Sequence, residues 1–380
     1  MRAAHRRSGA ALALLLLVAA CALPPKPAPG IGPAIPWSEV HGWGADHQAR
    51  AWPALRAECP GLMKDPRWTA VCGAVQDEPQ APTSAQVRRF FRQWFVPHPV
   101  YNEAGRRGGL MTAYFEPLVR GRLKRSGRFR YPLYGPPPDL LHIDLGSLYP
   151  ALAGQRVRGR LAGDRRVVPY YSRSQIEREH RLRGDEIVWL NSPVTAFLMQ
   201  VQGSGVVRLH DGSLRALRYA DQNGYPYRPL LQCFAALHIA PPQSLDLAGL
   251  KGWLNAHPHR ARRVLECNPS FVFFRLSTAV GPPRGALNVP LTARRSVAVD
   301  RRYIGLGLPV WLERRGPHPM ARLVLAQDVG GAIQGPTRVD WFLGRGPLAG
   351  NAAGQIKDPD RLLVLVPRSA ATPPRSSGSR

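Results

Sequence analysis

The stretch Leu323–Gly344, LVLAQDVGGAIQGPTRVDWFLG, decides how this chain is read. An apolar run ends in Asp328 and the pair Gly330–Gly331, which reads as a strand running into a turn. A second aspartate, Asp340, follows twelve residues later and sits among Val339, Trp341, Phe342 and Leu343. A carboxylate with apolar neighbours loses hydration and keeps its proton to higher pH. A general acid working near neutrality needs that property. The plainer alternative is that Asp328 caps a turn and Asp340 is an ordinary surface residue. The rest of the chain decides between these two readings.

From Gly109 onward, short apolar or alternating runs are separated by Gly, Pro, Asp and Asn, the pattern of a β-rich region. GLMTAYFEP (Gly109–Pro117) reads as a strand ending in a Glu-Pro turn. Val188–Gly212 reads as an apolar run, a Gly-Ser-Gly turn and a strand closed by Asp211-Gly212. RYADQNGYPYRPL (Arg218–Leu230) is a tyrosine-rich loop or strand pair, and its Tyr225 and Tyr227 either stack on a ligand or pack. NPSFVFFR (Asn268–Arg275) alternates after a turn, Asn288–Leu312 holds two strand-like runs around Asp300, and DRLLVLVP (Asp360–Pro367) is a closing strand. Upstream, residues 37–100 carry helical spacing. In RRFFRQWF (Arg88–Phe95) an apolar face of Phe90, Phe91, Trp94 and Phe95 is expected in a core.

The N-terminus reads as a targeting segment. Arg2, Arg6 and Arg7 precede a short apolar run, Ala10–Ala20, too short to span a bilayer. It ends in Val18-Ala19-Ala20-Cys21, small residues before a cysteine, like a bacterial lipoprotein processing site; a plain secretory signal is the alternative. Residues 1–20 are then a lipoprotein signal peptide, and Cys21 becomes the acylated membrane anchor. Ala22 is not the aspartate that retains such proteins on the inner membrane. The expectation is therefore an outer-membrane lipoprotein facing the periplasm. Residues 21–36 read as a Pro-rich tether and 369–380 as a disordered tail. What lies between is long enough for two domains with cores of their own.

The formal charge of +27 first suggests nucleic acid. The arginines are scattered, however, no aromatic-basic motif or basic helix stands out, and a secretion signal removes the chain from cytoplasmic nucleic acid. A genomic bias toward arginine, or attraction to an acidic polymer such as the cell wall, accounts for the charge better. Cys59 and Cys72 lie close enough to form a disulfide in an exported protein; Cys233 and Cys267 either pair or stay as thiols. No cysteine or histidine cluster has metal-ligand spacing, so no metal and no cofactor is expected.

In their order from about Thr112 to Pro367, these blocks resemble the membrane-bound lytic murein transglycosylase A family. The C-terminal part resembles the 3D domain, named for three aspartates, here Asp300 in SVAVDRRYI, Asp328 in AQDVGGAI and Asp340 in RVDWFLG. The resemblance implies a mainly β fold: a double-psi β-barrel 3D domain with N-terminal helices, an inserted second β-barrel domain, and a groove between them for a glycan strand. The corresponding layout is a helical part over 37–114, an insert over 115–265 and the 3D domain over 266–368. Family members cleave the β-1,4 bond between N-acetylmuramic acid and N-acetylglucosamine of peptidoglycan, leaving a 1,6-anhydromuramic end.

Carried over by residue, the resemblance makes Asp340 the single acid/base, with Asp328 and Asp300 supporting it. It places Thr112, Tyr114, Glu116, Gln200, Gln202, Ser204, Gly205, Gly330 and Gly331 along the substrate groove; Glu116 is alternatively a buried partner for an arginine, and Gln200, Gln202, Ser204 and Gly205 alternatively end strands. Ser192, Thr195, Ala113, Phe115 and Gln334 depart from the family pattern, which bears on glycan affinity. Candidate partners are peptidoglycan, the membrane through the lipid anchor, and cell-wall synthesis or division proteins. Two other readings remain: a hydrolase using a second carboxylate, Asp328 or Glu116, and a non-catalytic wall-binding lipoprotein.

Overall fold

The computed structural model describes residues 26–152, 157–243 and 247–368. The signal segment, Cys21 and the tail from residue 369 lie outside them. The central sheet joins strands far apart in the chain. Lys357–Pro367, Pro309–Arg314, Met320–Asp328, Ser296–Val299, Arg338–Arg345 and Gly109–Glu116 pair in that order, and the last pairs back onto the first. The eight-stranded sheet is thus a closed barrel of six, with Phe95–Tyr101 and Gly30–Ile31 added at one edge. Ser296–Val299 runs parallel to Met320–Asp328, and Arg338–Arg345 runs parallel to Gly109–Glu116. This is the double-psi arrangement expected.

Alternation along each strand sorts residues between two faces. Val310, Leu312, Val324, Ala326, Val339, Trp341, Leu362 and Val364 fill the barrel interior. Their neighbours Trp311, Leu323, Leu325, Leu363 and Leu365 point outward, and the N-terminal helices cover them. Those helices are Trp52–Leu62, Pro66–Asp77 and Ser84–Trp94. The third starts at a capping box: Thr83 Oγ1 accepts from the Gln86 N–H at 3.3 Å, and Gln86 Oε1 accepts from the Thr83 N–H at 2.8 Å. Its Phe90 and Phe91 are buried with Trp52, Leu55 and Trp68, each such ring stabilising the fold by roughly 1.5–3 kcal/mol. Phe95 already belongs to the following strand. A Cys59–Cys72 disulfide, with Cα atoms 5.4 Å apart, clips the first two helices together.

The Pro-rich stretch is not a free tether along its whole length. Gly30–Ile31 pairs with Val100 and Tyr101, and the N–H groups of Gly32 and Ile35 donate to the carbonyls of Pro99 and Pro97. Prolines in a strand still present carbonyl acceptors, and this segment satisfies them.

The inserted region forms a six-stranded sheet, in the order Val272–Ser277, Leu214–Gln222, Ser204–Arg208, Leu118–Arg122, Glu186–Leu190 and Tyr131–Tyr134. It curls until its two edge strands share one core, with Leu133 and Phe274 both buried there. Two expectations are corrected. The apolar run after Pro193 is a helix, Pro193–Gln202, capped by Ser192, whose Oγ accepts from the Thr195 N–H, and ended by Gly203 at φ +70°. The strand Val272–Ser277, expected in the 3D domain, pairs instead with Leu214–Gln222 of the insert. A second disulfide, Cys233–Cys267, joins the helices Leu230–Ala236 and Pro258–Cys267.

Candidate active site

One short strand brings the two aspartates of the Leu323–Gly344 stretch together. Ala298 pairs with Asp340 on one side and with Asp328 on the other. The pairing with Met320–Asp328 slips by one residue between Val297 and Ala298, which places Asp328 in the same row. Thr112 pairs with Asp340 from the next strand. The row therefore reads Asp328, Ala298, Asp340, Thr112, and its two aspartate backbones stand two strand spacings apart, roughly 10 Å.

Asp340 alternates with Val339 and Trp341, which point into the barrel, so it leaves the barrel on the outer face. Val339 and Trp341 are thus not what desolvates it, whereas Phe342, two residues on, shares its face. Its cover comes from Gly109–Glu116: the Tyr114 ring lies against Phe342 at 5.2 Å and reaches across the row, donating its hydroxyl to Asp328 Oδ2 at 2.8 Å. Burial pushes the Asp340 carboxyl from its ordinary 3.8 up to about 6. The hydrogen bond from Thr112 Oγ1, at 2.5 Å, and the Arg338 charge pull the other way, while the Asp328 charge adds to the rise. Burial, together with Asp328 and Asp340, also drives the Tyr114 phenol well above its usual value, so it stays a donor.

Asp328 is held in place. Besides the Tyr114 hydroxyl it accepts from the N–H groups of Val329 and Ala286, each at 2.9 Å to Oδ1. Asp300 is not in the row. Burial pushes its carboxyl up, but a forked pair with Arg302 and the N–H groups of Gly335 and Arg302 outweigh that and leave it below the usual value. By anchoring Gly335 it fixes the loop that joins Asp328 to Asp340.

Several residues expected in the groove serve packing instead. Glu116 is fully buried between Arg345 (2.5 Å) of the barrel and Arg218 (3.0 Å) of the insert, and both arginines also donate to the Gly281 carbonyl. Burial raises its carboxyl against those two charges. This cluster clamps the two domains and leaves no oxygen for a sugar. Gln200 is buried, its Oε1 accepting from Arg173 at 2.6 Å. Gly205 is buried, and any side chain there would strike Met199. Gln202 Oε1 accepts from the Phe115 N–H at 3.0 Å, so it ties the insert to the barrel beside the row. Ser204 is half-buried at the start of its strand.

Gly330 and Gly331 follow Asp328, the first half-buried and the second exposed. A methyl group on Gly331 would sit 3.4 Å from Tyr227 of the insert, so that residue and the glycine turn approach each other across the inter-domain space. Tyr225 is half-buried nearby in sequence. Gln334 closes the glycine turn, donating to the Gly331 carbonyl at 3.1 Å. Sequence reading passed over Arg338 and Ala286. Arg338 was detectable, standing two residues before Asp340 and hence on the same strand face. Ala286 contributes only a backbone N–H, which no side-chain pattern reports.

Two family profiles match the chain, the MltA-specific insert domain over residues 110–275 and the 3D domain over residues 295–366. The membrane-bound lytic murein transglycosylase A of Escherichia coli K12 is 33% identical over 265 residues, 67% of this chain and 64% of its own length. The crystal structure of the Neisseria gonorrhoeae protein MltA aligns with a TM-score of 0.75 at 31% identity, over 90% of this chain and 98% of that one. The chain belongs to the membrane-bound lytic murein transglycosylase A family. Its match spans just under two thirds, 64%, of the length of that Escherichia coli relative. Another member of the family, Escherichia coli MltA crystallised with bound chitohexaose, aligns with a TM-score of 0.65 at 28% identity, over 87% of this chain and 91% of that one. The insert profile extends to residue 275 and so takes in most of the strand Val272–Ser277 that the insert sheet claims.

Proposed function

We propose that this chain is a peptidoglycan lytic transglycosylase with Asp340 as its single acid/base. One observation carries the reading: Asp340 is the carboxyl of the row whose proton is held to about pH 6, while Asp328 beside it accepts from three donors. Family membership and the chitohexaose complex of the Escherichia coli relative support a glycan strand as substrate.

Protonated Asp340 gives its proton to the glycosidic oxygen as the bond from C1 of N-acetylmuramic acid breaks. The resulting carboxylate takes the proton from the C6 hydroxyl of the same sugar as O6 bonds to C1. A 1,6-anhydro end forms, no water is consumed, and Asp340 is again protonated. The substrate supplies the nucleophile, so the second carboxylate of an ordinary glycosidase is not needed. The buried, doubly paired Glu116 and the fully engaged Asp328 speak against a water-activating partner. Asp328, held by three donors, contributes a fixed negative charge beside Asp340. In the cell we place the protein on the outer membrane through lipidated Cys21, facing the periplasm.

The test is digestion of purified sacculi by the soluble body starting after Cys21, with products read by mass spectrometry and Asp340→Asn run in parallel. Anhydro-muropeptides, one water lighter than hydrolysis products and absent with the variant, are expected. Reducing-end products would assign a hydrolase, and tight sacculus binding without product would assign a wall-binding protein.

A further inference from the structure

Arg338 joins the row through Thr112. Its Nη2 donates to Thr112 Oγ1 at 2.8 Å, and Thr112 Oγ1 donates to Asp340 Oδ1 at 2.5 Å. A threonine hydroxyl has one proton, and with a guanidinium N–H filling a lone pair, that proton is left to point at Asp340. The other arm, Nη1, donates to the carbonyls of Leu110 at 3.1 Å and Val339 at 2.5 Å, so the fork is fixed to both strands of the parallel pair. Among the described residues, no carboxylate closes an ion pair with this half-buried guanidinium.

The other carboxyl whose charge acts on Arg338, besides Asp340, is Asp360, on the closing strand beside Gly109 and 1% exposed. The Gly109 N–H points toward Asp360 without closing a hydrogen bond of normal geometry, and neither carboxyl oxygen has another partner. Arg314, opposite Asp360 in register, turns instead to Asp358 at 2.8 Å. Burial pushes the Asp360 carboxyl up to about 8 against the Arg338 charge, so at neutral pH it is uncharged and leaves that charge uncancelled. The charged groups acting on Asp340 itself are Arg338 and Asp328.

We propose that Arg338 is a positioning residue for the reaction: it turns the Thr112 hydroxyl onto Asp340 and supplies the positive charge against which Asp340 works. The inference rests on the acid role proposed for Asp340. The proton-donating step needs protonated Asp340, so the rate falls as pH rises through that group's titration. Removing the cation raises the titration point and moves the alkaline limb upward.

The experiment is the pH profile of anhydro-muropeptide release from sacculi by wild type, Arg338→Gln, Arg338→Lys and Asp340→Asn, with folding of each checked by circular dichroism. Arg338→Gln is expected to move the alkaline limb up by roughly one pH unit and to lower turnover at least about tenfold through the loosened hydroxyl. Arg338→Lys keeps the charge, so its limb stays near that of wild type. It loses the two-armed fork, so its turnover still falls. A limb that does not move in folded Arg338→Gln, or that moves equally in Arg338→Lys, overturns the proposal. Product formation by Asp340→Asn would instead overturn the acid role of Asp340 and is read separately.

Discussion

Asp340→Asn should make the protein more stable while removing its activity. In the folded chain the Asp340 carboxyl is pushed up to about 6 from an ordinary 3.8. The fold therefore works against the charged form, by about two pH units or about 3 kcal/mol. The sign follows from proton counting. Between pH 3.8 and about 6 the native state holds more protons at this site than the unfolded chain. Stability contributed here is complete below that window, falls as pH rises through it, and stays low above it. Asparagine keeps the shape and an oxygen that accepts from Thr112, but it carries no charge to desolvate. The variant should gain up to about 3 kcal/mol above neutrality, a rise of roughly 4–6 °C in Tm, and the gain should vanish as both proteins are taken down through the window. Thermal and urea unfolding of the two soluble bodies at mildly acidic and mildly alkaline pH would measure it. An asparagine variant no more stable than wild type at alkaline pH, or a gap independent of pH, would refute the claim that burial holds the Asp340 proton.

Glu116→Ala leaves Arg218 and Arg345 without their shared carboxylate at the domain junction. It should cost about 3 kcal/mol, read as a lower urea midpoint, and an unchanged midpoint would show that the clamp contributes nothing. Replacing Cys59 and Cys72 together by serine opens a cross-link of sequence separation 13. It should lower the unfolding free energy of the helical layer by about 3 kcal/mol; equal unfolding of wild type with and without reductant would argue that the bridge does not form in solution.

The barrel strands were legible as short apolar runs between turn residues, which is a local property, but the face each residue takes was not, because inward and outward positions are both apolar. Val310–Leu312, Val324–Ala326 and Leu362–Val364 each send one residue inward and the next toward the helices. The run after Pro193 misled. Ser-Pro at its start is a helix-opening signal, yet its apolar residues resemble a buried strand, and only length and the cap separate the two. Gln200 and Gly205 looked like groove residues for a similar reason: amides and glycines serve sugar binding and tight packing alike.

The sequence by itself determined the apolar runs and turns of the barrel and the three aspartates in their order. Tertiary structure alone decided that Asp328 and Asp340 share a row through Ala298, that Glu116 is turned inward between two arginines, and that the partner holding Asp340 is Thr112, 228 residues away. The reason is physical. Strand period and turn conformation depend on adjacent residues, whereas the charge state of a carboxyl depends on what fills the space around it. Around Asp340, that space is filled by another strand, while its own neighbours Val339 and Trp341 face the opposite side of the sheet.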